Sequence, residues 1–291
     1  MDVKSGGAGG GLLKNNRGTL YLVGTPIGNL EDITLRAIRT LRDADLIACE
    51  DTRQTQKLLN HHKIETPTTS YHEHNEMTRA PELVLRLEEG ARIAIVSDAG
   101  MPGISDPGYR LVGLCIRHNI PVVPIPGPSA FAAALVSSGL PTHAFHFWGF
   151  LPPKKTARRK ALKAVGDSPA TSIFFESPHR ILETLEDIRE VLGDRPAVVA
   201  REITKIHEEF LRGRVSEVLQ TLQSRPSIPG EITLLIAGEG QEHSTAVHSQ
   251  PLKERVRELM QTKKLSRMGA LKTVAKERHI SKGQAYKEFE T

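Results

Sequence analysis

The 291-residue chain is poor in several things, and each shortage removes a class of protein. It has 2 cysteines, Cys49 and Cys115, far apart and without metal-type spacing. That excludes a disulfide framework and predicts reduced thiols in a cytoplasmic setting. No apolar run approaches the roughly 18 residues that a membrane span requires, so no membrane partner is expected. The N-terminal segment MDVKSGGAGGGLLKNNRG holds no apolar stretch of the secretory kind. Residues 1–16 are read as a flexible Gly-rich tail. The nucleotide fingerprints GxGxxG and GxxxxGK[ST] do not occur, nor does the GxSxG serine elbow. Nicotinamide, ATP and serine-hydrolase chemistry are therefore disfavoured.

What is present is a run of short β-rich segments separated by helical patterns. Strands are expected at Thr19–Val23, Leu46–Cys49, Ile93–Val96, Val122–Ile125, Thr171–Phe175, Ala197–Ala200 and Ile232–Ile236. Asp32 or Thr34 can cap a helix that carries Ile33, Ala37, Ile38 and Leu41 on one face. Ser177, with Pro178 at the first helical position, can open another with Ile181, Leu182, Leu185, Ile188 and Leu192 inward. Alternation of this kind predicts largely parallel sheets covered on both faces. The expected organisation is an α/β domain over 17–126, a second over 127–240, and a helical module over 251–291. The polar stretch 239–251 reads as a linker.

Charge is unevenly placed. The whole chain carries +5, and residues 251–291 hold 11 Lys and Arg against 5 Asp and Glu. There Leu252–Met260 reads as one helix. Ser266 and Ser281 open two more, with Ala270, Leu271, Val274, Ala275, Ala285, Tyr286 and Phe289 inward, an arrangement compatible with helix-turn-helix or with a plain cap. A second basic cluster comprises Lys154, Lys155, Arg158, Arg159, Lys160 and Lys163. Two such patches on an otherwise near-neutral chain point to an anionic polymer such as RNA.

Nearly every strand ends in functional groups: GTPIGN after the first, CEDTR (Cys49–Arg53), SDAGMPG (Ser97–Gly103), PGPSA (Pro126–Ala130), ESPHR (Glu176–Arg180) and REITK (Arg201–Lys205). Polar ends and bare glycine backbone at the carboxyl edge of an α/β sheet mark a ligand site. Glu50, Asp51 and Glu176 are the candidate general bases, each directly after a strand. Arg53, His179, Arg180, Arg201 and Lys205 are candidates for holding phosphates or tuning those carboxylates, alongside Lys154, Lys155, Arg158 and Arg159. An equally open reading makes Glu50–Arg53 and Glu176–Arg180 structural ion pairs. His61, His62, His72 and His74 crowd together, but without cysteine or helical i, i+4 spacing no metal is expected. Tyr71, the histidines and Asn75 are read as an exposed loop able to contact unpaired bases. Phe147, Trp148 and Phe150 are read as core in preference to a stacking platform.

Taken together, the blocks GTLYLVGTPIGNLEDIT, IACEDTRQT, SDAGMPGISDPG, PIPGPSA, FFESPHR and GEITLLI closely resemble the small-subunit ribosomal RNA 2′-O-methyltransferase I family, within the tetrapyrrole (corrin/porphyrin) methylase superfamily. The resemblance runs from about Gly18 to the C-terminus. It implies two tandem α/β domains with an S-adenosylmethionine cofactor in the cleft between them, a homodimer, and methylation of a cytidine ribose in the decoding region of 16S ribosomal RNA, within the RNA or the small subunit. It assigns Thr25, Pro26, Asp98, Ala99, Gly100, Met101, Ser129, Ala130, Leu151 and Thr233 to the cofactor. The first loop, GTPIGN, departs from the GxGPG type of tetrapyrrole enzymes, which argues against a porphyrin substrate. Two alternatives remain: a tetrapyrrole methyltransferase, which has no use for the basic patches, and a non-catalytic RNA-binding assembly factor, which has no use for intact SDAGMPG and PGPSA loops.

Overall fold

The computed structural model describes residues 18–166, 168–240, 251–262, 264–277 and 280–290. The expected Gly-rich tail and residues 241–250 of the expected linker lie outside them. The chain divides into two compact units, the first ending at Ser129 and the second beginning at Ala130.

In the first unit, strands β1 (Thr19–Val23), β2 (Leu46–Cys49), β3 (Thr68–Ser70), β4 (Arg92–Val96) and β5 (Val122–Ile125) form one sheet in the order β3-β2-β4-β1-β5. Every pairing is parallel. Successive side chains along a strand point to opposite faces, and the β4 run shows the result. Ile93 and Ile95 enter a core with Leu20, Ala80, Leu83, Leu87 and Leu111, beneath α3 (Glu76–Glu88) and α4 (Tyr109–Arg117). Ala94 and Val96 enter another with Val23, Leu41, Ile47 and Leu59, beneath α1 (Leu35–Asp43) and α2 (Thr52–His61). Both faces being buried, the strands read as near-continuous apolar runs. Thr34, not Asp32, caps α1, its hydroxyl accepting from the Ala37 N–H at 3.1 Å. Asp51 caps α2 by accepting from the Arg53 N–H at 2.8 Å.

The second unit differs from the parallel expectation. It contains α5 (Ala130–Ser138), β6 (Phe145–Phe150), α6 (Lys155–Val165), β7 (Thr171–Glu176), α7 (Ile181–Leu192), β8 (Pro196–Arg201), β9 (Glu209–Arg214), α8 (Val215–Gln223) and β10 (Ile232–Ile236). Strand order is β6-β7-β10-β8-β9, and only β6 and β7 pair in parallel. β10 runs antiparallel to β7 and β8, and β9 antiparallel to β8. The loop between β8 and β9 is too short for a helical crossover, so those strands must form a hairpin. The helix after Phe175 begins at Ile181, because Ser177 to Arg180 form a turn in which the Ser177 carbonyl accepts from both the Arg180 and Ile181 N–H groups. Phe174, Ile181, Leu185, Ile188, Val199 and Leu234 belong to the core under α6, α7 and α8.

Three C-terminal helices follow: α9 (Leu252–Thr262), α10 (Arg267–Glu277) and α11 (Lys282–Glu290). Leu252, Val256, Leu259, Ala270, Leu271, Val274, Ala275 and Ala285 form a cluster of their own, with Phe289 packed against it. Ser281 caps α11 reciprocally: its hydroxyl accepts from the Gln284 N–H while the Gln284 amide oxygen accepts from the Ser281 N–H. Tyr286 was expected inward but is half exposed beside the Arg267 guanidinium. Among the described residues, no helix is long and apolar enough to cross a membrane.

Candidate active site

Because the first sheet is wholly parallel, its five strands deliver their carboxyl-terminal loops to one edge. Those after β1 and β4 are joined: the Thr25 N–H donates to the Gly100 carbonyl at 2.9 Å, and the Gly100 N–H to that of Thr25 at 3.1 Å. The Thr25 hydroxyl donates to the Ser97 carbonyl at 3.2 Å. The loops after β1 and β5 meet backbone to backbone. A Cβ on Gly24 would stand 2.7 Å from the Gly127 Cα and 2.7 Å from the Met101 sulfur, so only glycine fits. Gly100 has φ +82°, which a side chain would strain. Around this framework Ser97 and Gly100 are buried, while Asp98 and Ala99 between them are exposed at the edge. Thr25 and Pro26 are buried, and Met101 and Ser129 are partly exposed.

Carboxylates crowd the same edge. The Asp51 N–H donates to Asp98 at 3.1 Å, which ties the β2 loop to the β4 loop. Burial, and then the charge of Asp98, push the Glu50 carboxyl above its ordinary range. Burial and the charge of Glu50 push Asp106 up to about 6 against an opposing hydrogen bond from Ser97, with Asp98 adding to the rise. Asp51 is different, because Arg53 grips it at 3.1 and 2.8 Å and holds it near 2. The strand-end carboxylates therefore separate into an ion pair, Asp51–Arg53, and two groups, Glu50 and Asp106, that burial and neighbouring carboxylate charge push upward. Asp106 was not singled out from the sequence, where it looks like the turn former of a Ser-Asp-Pro-Gly run. Its neighbour Glu50 is far away in the chain, so no local pattern could expose it.

The second unit holds the other expected residues, mostly in ion pairs. Glu176 is 3% exposed and tied to Arg180 at 2.9 Å, to the Thr184 hydroxyl at 2.7 Å and to the Ser177 N–H at 2.6 Å. Arg180 also reaches the Leu151 carbonyl at 3.5 Å. Arg201 pairs with Glu209, and Lys205 with Glu202 and Glu231. Arg158 is 1% exposed and bonds Asp187 at 2.7 Å and Glu183 at 3.1 Å, while Arg159 bonds Asp187 and Glu190. That corrects the basic cluster: Arg158 fastens α6 to α7, and Lys154, Lys155, Lys160 and Lys163 are the exposed members. His179 is exposed, Ala130 opens α5, and Leu151 and Thr233 are buried.

Two further expectations change. Tyr71 is 1% exposed and packs with Leu20, Leu83 and Leu111, so it is core and not a base-contacting ring. The aromatic run is more exposed than a core assignment allows: Phe147 stacks on Phe131 at 4.8 Å, but Trp148 and Phe150 stand largely at the surface of an edge strand. His72 contacts the Asn75 amide at 3.3 Å, and among the described residues no three His, Cys, Asp or Glu side chains assemble as a metal cage would require.

A parallel sheet with joined, carboxylate-bearing strand-end loops, followed by a mixed sheet, is the architecture of a class of methyl-transferring proteins. The family model for Tetrapyrrole (Corrin/Porphyrin) Methylases matches residues 19–219. The chain is 54% identical over 229 residues to the ribosomal RNA small subunit methyltransferase I of Halalkalibacterium halodurans, covering 79% of each chain. It is 47% identical to that of Synechocystis sp. over 92% of this chain and 96% of the relative. Against that of Bacillus subtilis identity is 43%, over 95% of both. Among solved structures, uroporphyrin III C-methyl transferase from Thermus thermophilus shares the fold at 20% identity, with TM-score 0.53 over 76% of this chain and 98% of that one. Diphthine synthase shares it at TM-score 0.56 and 15% identity, over 75% and 90%. The chain belongs to the tetrapyrrole methylase family and, within it, to the ribosomal RNA small subunit methyltransferase I group.

Proposed function

We propose that the protein transfers a methyl group from S-adenosylmethionine to the 2′-hydroxyl of a cytidine ribose in the decoding region of small-subunit ribosomal RNA, acting in the cytoplasm as a homodimer. The observation that carries this reading is the carboxylate-rich edge of the first sheet in a chain so similar to ribosomal RNA methyltransferases. The tetrapyrrole alternative leaves the exposed lysines of α6 and the basic C-terminal helices without a purpose. The non-catalytic alternative leaves the close-fitted Gly24–Gly127 contact and the exposed Asp98 without one.

The edge fits the cofactor by charge and shape. A sulfonium and an ammonium are cations, and Asp98 presents an exposed carboxylate beside the positive-φ Gly100, where backbone can approach closely. Thr25, Pro26, Asp98, Ala99, Gly100, Met101 and Ser129 would hold it from the first unit. Ala130, Leu151 and Thr233 stay assigned to it by resemblance. When bound, the cofactor supplies a methyl already made electrophilic by its sulfonium. The protein's part is to align the ribose hydroxyl and take up its proton. Alignment is worth roughly 7–11 kcal/mol of barrier, and a general base about 10²–10⁴-fold.

Of the three carboxylates expected as base, Glu50 is the one whose environment suits the task. Asp51 near 2 is too weak a base, and Glu176 has its oxygens committed to Arg180, Thr184 and the backbone. Lys154, Lys155 and His179 are exposed for phosphate, and Arg53 is exposed as well although it also grips Asp51, whereas Arg158, Arg159, Arg180, Arg201 and Lys205 serve carboxylates first. The test is methylation of small ribosomal subunits from cells lacking the protein, read as an alkali-resistant dinucleotide by mass spectrometry. Glu50→Gln should slow single-turnover transfer by about 10²–10⁴-fold with cofactor affinity kept. No methylated ribose with the wild-type chain would refute the reading. A Glu50→Gln rate within a few-fold of wild type would leave alignment alone to carry it.

A further inference from the structure

Beside the carboxylate edge, the first unit has an open depression of about 740 Å³ lined by Glu73, Glu76, Asp106, Tyr109, Arg110 and Arg117, among others. Its rim carries an unusual group: Tyr109, the first residue of α4, is 87% exposed. Arg110 leans on Glu76 at 3.4 Å with nearly half of its side chain in solvent. Gly113, one turn further along α4, adds no side chain, and a Cβ there would meet nothing within 4 Å. The depression therefore offers a stacking ring, a partly buried carboxyl and two guanidinium groups around open space.

That combination selects among ligands. The Glu73, Glu76 and Asp106 carboxylates repel a ligand that is anionic throughout, whereas one with a neutral ring and a phosphate to one side can set that phosphate by the arginines. A single aromatic among charged groups is too little apolar surface for a protein partner. An unpaired nucleotide satisfies every part: an aromatic ring stacks on its base, a carboxylate accepts from an exocyclic amino group, and arginine takes phosphate. The charge of Glu50 is felt at Asp106, and the amino group and 2′-hydroxyl of cytidine lie toward opposite ends of one nucleoside.

We propose that this depression seats the target nucleobase, with Tyr109 stacked on the ring and Asp106 accepting from the N4 amino group of cytosine. The inference rests on the RNA methyl-transfer reading and deepens it by naming the group that tells cytosine from uracil. An ionised carboxylate accepts from the cytosine amino group and repels O4 of uracil. A protonated one can donate to O4. Asp106 is faced by Glu50, Asp98 and the Ser97 hydroxyl, and Glu73, Glu76, Tyr109, Arg110 and Arg117 line the same space. Discrimination should therefore narrow as pH falls through about 6.

The test uses the intact chain with S-adenosylhomocysteine and fluorescein-labelled RNA hexamers, read by anisotropy. One hexamer is of cytidine, one of uridine, and one of the cytidine analogue lacking the 4-amino group. The wild-type chain should favour the cytidine hexamer over the analogue by about tenfold, the worth of one charge-assisted hydrogen bond. Asp106→Ala should bind the two equally, with no change toward the analogue. Asp106→Asn, whose amide oxygen still accepts but carries no charge, should keep a smaller preference and lose its pH dependence. Tyr109→Ala should weaken all three by about tenfold or more, and Tyr109→Phe should not. S-adenosylhomocysteine affinity should be the same throughout, which shows that the variants are folded. Equal binding of cytidine and analogue hexamers by the wild-type chain, or no binding of either, overturns the proposal. So does a preference that survives Asp106→Ala. Loss of a dimer on Tyr109→Ala with RNA binding intact overturns it as well, making the face a contact between copies. Methylation of small subunits by the wild-type chain is scored separately, so the inference can fail while the broader reading stands.

Discussion

Asp106 shows how a residue kept for a site weighs on stability. Its carboxyl belongs near 3.8 in the unfolded chain and is pushed up to about 6 in the fold, chiefly by burial and by Glu50. Between those values the native state holds a proton that the unfolded chain has released, so stability falls as pH rises across the window. Above it the whole cost of holding the carboxylate charged in the fold is present, eased by the solvent that still reaches it. Asp106→Asn should therefore raise the urea midpoint at about pH 8, and the gain should shrink steadily toward about pH 4. A gain that is the same at both ends would mean that Asp106 does not retain its proton. The Gly24–Gly127 contact teaches the same lesson about what a sequence can show. The glycines of GTPIGN and PGPSA are visible as turn formers, but that they abut each other follows only from β1 and β5 being neighbours in the sheet.

Elements, unlike residues, were legible where both faces of a strand are buried. The interior strands β1, β2, β4, β7, β8 and β10 read as apolar runs because neighbours flank them and helices cover their sheets. β5, an edge strand half-buried at Val122 and Val123, does so through its β-branched residues. β3, Thr68–Ser70, is short and polar. β9, Glu209–Arg214, is a sheet edge rich in charge, so neither gives an apolar signal. β6 was hidden by its aromatics and by a register shift between Phe147 and Phe150 near Gly149. The helix pair α6–α7 shows charge taken out of its usual role. Burial works to raise Asp187, but hydrogen bonds from Arg159 and Arg158 outweigh it and hold the carboxyl low. Arg158→Ala would strip one partner from a carboxylate that is 1% exposed, and loss of a buried partner costs about 3–5 kcal/mol. The expected outcome is a clear drop in melting temperature, with Lys154→Ala and Lys155→Ala leaving it unchanged and weakening RNA binding instead. Equal effects of all three on RNA binding, with no change in melting, would restore Arg158 to the RNA surface.

At the scale of the whole molecule, the C-terminal helices stand out because they have a core of their own and most of the net positive charge. Phosphate contacts give affinity that falls steeply with salt and carries no sequence information. Ending the chain after Gly240 should leave cofactor binding intact, lower RNA affinity and flatten its dependence on salt concentration. The lysines of α6 should keep a residue of that attraction. Full RNA affinity with an unaltered salt slope would reduce the helices to a cap. Loss of cofactor binding would make them part of the fold that the cofactor needs.

The strand order of the first sheet also sets a timetable for synthesis. Among the described strands β1 is the first to leave the ribosome, yet its two neighbours are β4 and β5, which end at Val96 and Ile125. At about 5–20 residues per second, the nascent strand waits several seconds for its first partner and longer for its second. Its loop GTPIGN meets the Gly100 and Gly127 backbones only then. A nascent chain stalled before β5 can thus hold several finished helices and still have no working edge, and its unpaired apolar strand is what a chaperone would find.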